Sequence, residues 1–328
     1  MKLKSDEQSY LISVALCTYN GEQFLKQQLD SILQQTVPVN EIIVVDDVST
    51  DNTIRMLDDY AAKYPGVFNI IKNKKNTGAK KNFEKAISLC KGDIIFLSDH
   101  DDSWNNFKVE KVIAHFEVHP EDKVVFTNAS FIDENDQVIP SSLWDVNMFT
   151  KEIREFTADK KNLLRFLLKY NKIVTGATVA IRKNFVDQIL PFRLMHKFWH
   201  DAWIAIVAAN QFALGYIDEP LIQYRLHQKQ QVGWLYMQKI NRIMEGIDPI
   251  PERLRKEMNN AVEESELVEL IHVRRKRVRL IKRLSRFIQP DKQIADEIRE
   301  ECRLAERAYY RAKSFPVRLL ETFRKMFK

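Results

Sequence analysis

Residues 42–53 read IIVVDDVSTDNT. A β-branched apolar run that stops at two carboxylates and passes through a short turn into Asp-Asn-Thr describes a strand, its carboxyl end and the cap of a following helix. Ile54, Leu57 and Ala61 then fall on one 3.6-residue face. The same grammar repeats on either side. Upstream, LISVAL (11–16) precedes a face made by Leu25, Leu29, Ile32 and Leu33. Downstream, VFNII (67–71) precedes Phe83 and Ile87, DIIFL (93–97) precedes Val109, Val112, Ile113 and Phe116, and KVVFT (123–127) follows. Strand, helix, strand at this spacing is the βαβ unit. The expected fold class is therefore α/β, a mostly parallel central sheet with helices on both faces and functional groups beyond the carboxyl ends of its strands.

A length of 328 residues suits two domains, or one large α/β domain with an appendage. With 45% hydrophobic against 29% charged residues, the chain can build a sizeable core, which excludes low-complexity, collagen-like and disulfide-scaffold classes. Cys17, Cys90 and Cys302 are widely spaced and make no CxxC or metal-ligand pattern, as expected in a reducing compartment. No stretch approaches the roughly 20 apolar residues of a membrane span, so the expected location is the cytoplasm.

Residues 128–233 are less periodic. A long loop is expected around DENDQVIPSSLWDVN (133–147), a helix over 159–170, a second strand-like run in IVTGATVAIR (173–182) and a helix from about 200 to 210. Beyond Gly233 the pattern is almost wholly helical, broken at GIDPIP (246–251), QPD (289–291) and Pro316.

The chemistry concentrates at two strand ends. Asp46 and Asp47 close the second strand, and Asp99, Asp101 and Asp102 follow the fourth in IIFLSDHDDSW (94–104). If the chain stays extended, alternation turns Asp99 and Asp101 to one side, about 7 Å apart. Two such carboxylates suit a hard divalent cation that takes its remaining oxygens from water and phosphate. Asp51 reads as an ordinary helix cap. There is no GxGxxG after a strand, no GxxxxGK[ST] and no GxSxG, which argues against dinucleotide oxidoreductases, P-loop nucleotidases and α/β-hydrolases.

Taken together, CTYNG (17–21), VDD with DNT (45–53), NTGAKKNFEKAI (76–87), SDHDD (98–102), TGAT (175–178), HDAW (200–203) and YRLHQKQQVG (224–233) resemble, in order, the motifs of family 2 inverting glycosyltransferases with the GT-A fold. The last motif is similar to the YRxHxxNxxG of rhamnosyltransferase-like members, with Gln230 in place of the asparagine; His100 stands where glutamine is commoner. The resemblance implies a GT-A catalytic domain over 1–233, with a nucleotide-sugar half to about 127 and an acceptor half from 128, followed by a basic helical region over 234–328. It further implies Thr18, Asn20, Glu22 and Asp47 around the nucleotide, with Lys81 and Asn82 lining the same pocket. Asp99 would meet ribose or metal-bound water, and Asp101 would hold Mg²⁺ or Mn²⁺. Asp201 would be the catalytic base, and Arg225 and His227 would close over the diphosphate or the metal.

The implied donor is dTDP-L-rhamnose, with a UDP-hexose or UDP-N-acetylhexosamine next; the implied acceptor is a surface glycan or a polyprenyl-linked saccharide. A scaffold that binds nucleotide-sugar without catalysis is the alternative of another class, and intact Asp99, Asp101 and Asp201 argue against it. His200 is expected to cap the helix or orient Asp201. Trp104 and Trp199 are left between core packing and an acceptor-side surface.

The charge is uneven. Residues 234–328 hold 23 Lys and Arg against 15 Asp and Glu, while residues 1–233 hold 28 against 30. Basic amphipathic patterns at 271–288 and 312–328 leave two readings open, a solvated helical bundle or contact with an anionic membrane surface. Nucleic acid is not an expected partner.

Overall fold

A computed structural model describes residues 10–170, 173–193, 199–228, 230, 233–246, 248, 250, 256 and 275–312. The strands are β1 (Ile12–Thr18), β2 (Glu41–Asp46), β3 (Phe68–Lys72), β4 (Ile94–Ser98), β5 (Ser103–Trp104), β6 (Val124–Ile132), β7 (Val138–Ser142), β8 (Val179–Arg182) and β9 (Leu214–Arg225). Between them lie α1 (Leu25–Leu33), α2 (Thr53–Lys63), α3 (Ala79–Leu89), α4 (Lys108–Val118), α5 (Leu143–Val146), α6 (Lys151–Phe156), α7 (Lys160–Tyr170), α8 (Val186–Ile189) and α9 (His200–Asn210), with α10 (Gly233–Met244) after β9.

One sheet runs in the order β3-β2-β1-β4-β8-β6-β9-β5, with β7 paired to β6. Its first four strands are parallel, and β1 at their centre pairs with both β2 and β4. Every residue of β1 is buried, and so are five of six in β2 and all of β4, as strands covered on both faces must be. Leu25, Leu29, Ile32, Leu57, Val109, Val112 and Phe116 supply the cover, in one cluster with Ile12, Val14, Leu16, Val44 and Phe96. Beyond β4 the sheet is mixed: β8 runs antiparallel to β4 and β6, and β9 runs parallel to β6.

Two local expectations need correction. DENDQVIPSSLWDVN is not a loop, because it contains a hairpin strand and a short helix: β7 pairs with β6, and Ser142 caps α5 by accepting from the Asp145 amide. IVTGATVAIR is a strand only over its last four residues, since Gly176–Thr178 form a 3₁₀ turn. Pro220 lies inside β9, a place that normally demotes a strand, and the β6–β9 register shifts at Asn128, opposite this proline, so no ladder donor is needed there.

By compactness the chain divides into two units, residues 1–154 with 171–249, and residues 155–170 with 250–328. Helix α7, expected in the acceptor half, thus belongs with the C-terminal helices. Its Arg165 pairs with Glu297 at 2.8 Å and its Lys169 with Glu301 at 3.0 Å, both on the helix Lys292–Ala312. Within the same unit, residues 275–284 are helical and bury Arg277, Ile281 and Leu284. Arg277 lies over the Tyr170 ring and Arg275 pairs with Glu306, so two cations of this basic stretch face protein, whereas Lys276, Arg279, Lys282, Arg283 and Arg286 are exposed. Residues 271–274 and 313–328 lie outside the described residues. No described helix is long and apolar enough to cross a membrane.

Candidate active site

The carboxyl ends of β1, β2 and β4 all open on one edge of the sheet, because these strands are parallel. Two acids at the end of β2 build that edge. Asp46 accepts from the Thr18 hydroxyl at 2.9 Å and from the Ser49 amide at 2.9 Å, closing a turn in which Val48 sits at φ 68°, a strained conformation for a β-branched residue. Asp47 accepts from the amides of Thr77 and Gly78, each at 2.8 Å, and from the Asn73 side chain at 3.0 Å. Burial raises its pKa, but those bonds from Thr77, Asn73 and Gly78 outweigh it and hold the carboxyl below its usual range. Asn82 completes the net by accepting from Asn73 and the Thr77 hydroxyl.

Several residues expected around the nucleotide therefore shape the loops. Asn20 accepts from the Thr50 amide at 2.8 Å, and Glu22 accepts from the Asn52 amide at 2.8 Å, one residue before α2. Thr18, Asp47 and Asn82 are buried, at 2%, 3% and 2% exposure. Lys81 points away, exposed and paired with Glu84 along α3 at 2.8 Å.

The second acidic segment is different. Asp101 and Asp201 both act electrostatically on Asp99, although Asp201 comes from α9, far along the chain. Burial, with Asp101 and then Asp201 adding to it, pushes the Asp99 carboxyl up to about 7. Burial also opposes ionisation of Asp101, yet His100 and a hydrogen bond with His227 overcome it and lower this carboxyl to about 2. Asp101 Oδ2 lies 3.0 Å from His227 Nε2 and 3.3 Å from Gln230 Nε2. Gln230 also donates to the Arg225 carbonyl, so its amide ties the last motif to Asp101.

At the first turn of α9, the Asp201 carboxylate accepts from the Ala202 and Gly176 amides. Burial nevertheless outweighs these bonds and raises its pKa to about 6. That moves the group toward the range where a general base works best. Gly176 leaves room for the imidazole, since a Cβ there would lie 2.7 Å from His200 Nε2. His200 is buried at 6% exposure and stacked on Phe83 with ring centroids 4.3 Å apart, and neither ring nitrogen has a hydrogen-bond partner among the described residues. Burial, followed by Lys80, lowers its pKa to about 3, so it is a neutral packing group beside the acid.

Arg225 is the clear correction. Expected to close over the diphosphate or the metal, it is fully buried and its guanidinium is committed within the protein. Its Nε donates to the Asp101 carbonyl and its Nη1 to the Asp133 carbonyl, each at 2.9 Å; Nη2 donates to Gln27, and Asp136 pairs with Nη1 at 2.7 Å. The plane lies 4.6 Å from the Phe24 centroid. Its backbone amide donates to Asp102 at 3.0 Å. Arg225 is thus the post that fixes the acidic loop. Arg225→Met should cost about 3 kcal/mol or more in urea unfolding, because it strands buried acceptors as well as removing a charge.

Lys108 was not anticipated. It is fully buried, donates to the Ala177 carbonyl at 2.9 Å and lies 4.0 Å from the Trp104 centroid; burial depresses its pKa to about 7 despite nearby Asp102. Trp104 is accordingly a core residue at 4% exposure, whereas Trp199 is 43% exposed.

Asp101 and His227 are of the types that hold a divalent cation, and the charge repulsion at Asp99 marks a place where one would be stabilised. Another ligand-type cluster, His119, Glu121 and Asp122, lies at the opposite sheet edge, just before β6 begins.

Residues 13–190 match the model of the glycosyl transferase family 2. The chain belongs to that family. It is 30% identical over 230 residues to a protein of Shigella flexneri named dTDP-rhamnosyl transferase RfbG, covering 66% of this chain and 73% of the relative. It is equally 30% identical over 222 residues to an uncharacterized protein of Mycobacterium tuberculosis, covering 66% of this chain but only 59% of that longer relative. Among solved structures, the mannosyltransferase PcManGT of Pyrobaculum calidifontis, in complex with GDP-Man and Mn²⁺, aligns at TM-score 0.52 and 16% identity over 98% of this chain and 81% of that one. Residues 1–349 of Staphylococcus aureus TarS align at TM-score 0.52 and 17% identity over 93% of each. The shared fold is GT-A.

Proposed function

We propose that this family 2 protein is a metal-dependent inverting glycosyltransferase whose donor is a nucleotide-diphospho-sugar, dTDP-L-rhamnose in the first instance. The observation that carries the reading is the convergence of Asp99, Asp101 and Asp201 from two distant segments, with His227 on Asp101 and Asp201 poised at about 6. In this reading Asp201 accepts the proton of an acceptor hydroxyl as its oxygen bonds to the anomeric carbon. The bond from that carbon to the diphosphate oxygen breaks, and the nucleoside diphosphate leaves from the opposite face, so the configuration inverts. Asp101 and His227 would hold Mg²⁺ or Mn²⁺, which when bound supplies positive charge to the leaving diphosphate. Asp99 would meet ribose or metal-bound water, and Arg225 keeps the loop that presents Asp101 in place.

The choice of rhamnose is supported by the relative named dTDP-rhamnosyl transferase and by the likeness of YRLHQKQQVG to the rhamnosyltransferase-like motif, from which Gln230 departs. The acceptor in this reading is a surface glycan or a polyprenyl-linked saccharide. The exposed cations between Lys276 and Arg286 would add peripheral contact with anionic lipid, read as salt-sensitive sedimentation with phosphatidylglycerol vesicles.

The test is donor hydrolysis by the pure protein with Mn²⁺, since slow hydrolysis requires no acceptor. Release of dTDP from dTDP-rhamnose faster than release of UDP from UDP-glucose or UDP-N-acetylglucosamine is expected. Preference for a UDP-sugar would replace the donor, and neither hydrolysis nor nucleotide binding with any of them would leave the scaffold reading.

A further inference from the structure

We infer that Trp199 is the acceptor platform of this site, a ring on which an acceptor pyranose stacks by its apolar C–H face, and that Lys80 is the residue that positions it. The inference rests on the proposed transferase reading and names the acceptor side of that same site. Trp199 immediately precedes α9, two positions before Asp201, and is 43% exposed, while Phe83, Phe96 and Trp104 are buried and Tyr236, which feels the Asp201 charge, is half-buried. A large aromatic left in solvent beside a base, when its neighbours have been packed away, is where binding energy for an amphipathic partner is available. A sugar ring is such a partner: hydroxyls at its rim, C–H groups on its face.

Lys80 supports this placement from α3. Its Nζ lies 5.3 Å from the Trp199 centroid, a cation–π distance, and its charge is felt by both His200 and Asp201. It makes no salt bridge among the described residues, unlike its neighbour Lys81, which is spent on Glu84. Lys80 therefore links the ring to the base, so a saccharide stacked on Trp199 brings its rim hydroxyls toward Asp201. His200 lies between the two in sequence, buried and wedged between Phe83 and Gly176, and makes the helix start rigid.

The experiment is saturation-transfer NMR on the whole chain with UDP and Mn²⁺ present, using methyl β-D-glucopyranoside as the ring probe and ribitol as a polyol with no ring face. Transfer to the glycoside and little to ribitol is expected. Trp199→Ala should weaken the glycoside about tenfold or more, the scale on which an exposed aromatic anchor is lost, and Trp199→Phe should keep most of it. Lys80→Met should weaken it several-fold and Lys80→Arg restore it, the pattern of a positioning cation. Donor hydrolysis and calorimetric UDP binding by the wild-type protein are read in parallel, which separates failure of this platform from failure of the transferase reading. Equal transfer to ribitol, no transfer to the glycoside, or an unaltered signal in Trp199→Ala would overturn the inference.

Discussion

Asp201→Asn lowers turnover by about 10² to 10⁴, the range carried by a positioned general base, while nucleotide-sugar affinity stays within a few-fold. Asparagine keeps the size of the side chain and an oxygen for the Ala202 and Gly176 amides, so the first turn of α9 is retained and only the proton acceptor is lost. The same assignment fixes a pH dependence. Burial raises the Asp201 pKa to about 6, so the base is ionised above that value and becomes protonated below it. The acid limb of kcat/KM should therefore fall through about pH 6 and not through the ordinary carboxylate range near 4. In Asp201→Asn the residual rate should lose that limb. Weak donor binding in this variant, measured by calorimetry, or an acid limb that persists in it, would remove Asp201 from the role of base.

The parallel half of the fold was legible because it is buried on both faces. IIVVD and IIFLS are near-continuous apolar runs that water would penalise anywhere else, and the helical faces through Leu29, Leu57 and Val112 match the residues that cover them. β7 escaped because it is an edge element with no buried residue, Val138 being 68% exposed, and its Pro-Ser-Ser end reads as a loop. The place of α7 rests on pairs such as Arg165 with Glu297, 132 positions apart, which no local pattern encodes.

The acids themselves were readable at strand ends, but their division of labour was not. Asp46 and Asp47 look like Asp99 and Asp101 in sequence, yet the first two are spent on the turn and on the 73–78 loop. Arg225 was misread for a related reason: an arginine in a motif suggests a bound anion, whereas its partners all belong to the protein, the carbonyls of Asp101 and Asp133, the side-chain oxygen of Gln27 and the carboxylate of Asp136. Lys108 did leave a signal. It stands at the same four-residue spacing as Val112 and Phe116, on the stripe that faces the sheet.

Asp101→Asn should abolish the metal-dependent part of donor binding. The site gathers Asp99, Asp101, Asp102 and Asp201 in a buried region, where the carboxyls of Asp99, Asp102 and Asp201 are each raised mainly by burial and Asp101 alone is lowered. Asp101 is therefore the carboxylate of the group that ionises first as pH rises, and it is the one in contact with His227. A diphosphate could not approach these carboxylates without an intervening positive charge, and Arg225 is not free to provide it. Replacing Asp101 by asparagine keeps an oxygen that can face His227 and the carbonyl that receives Arg225, so the fold should survive, but it removes the charge that a divalent ion needs. In calorimetric titrations of dTDP or UDP, Mn²⁺ should tighten binding to the wild-type protein and change it little in the variant, a loss of at least the roughly 10- to 100-fold seen when only the groups supporting metal ligands are removed. Asp122→Asn, in the ligand-type cluster at the opposite sheet edge, should respond to Mn²⁺ as the wild type does. A variant at Asp101 that still gained affinity from Mn²⁺, beside an Asp122 variant that did not, would move the ion to the His119, Glu121 and Asp122 cluster.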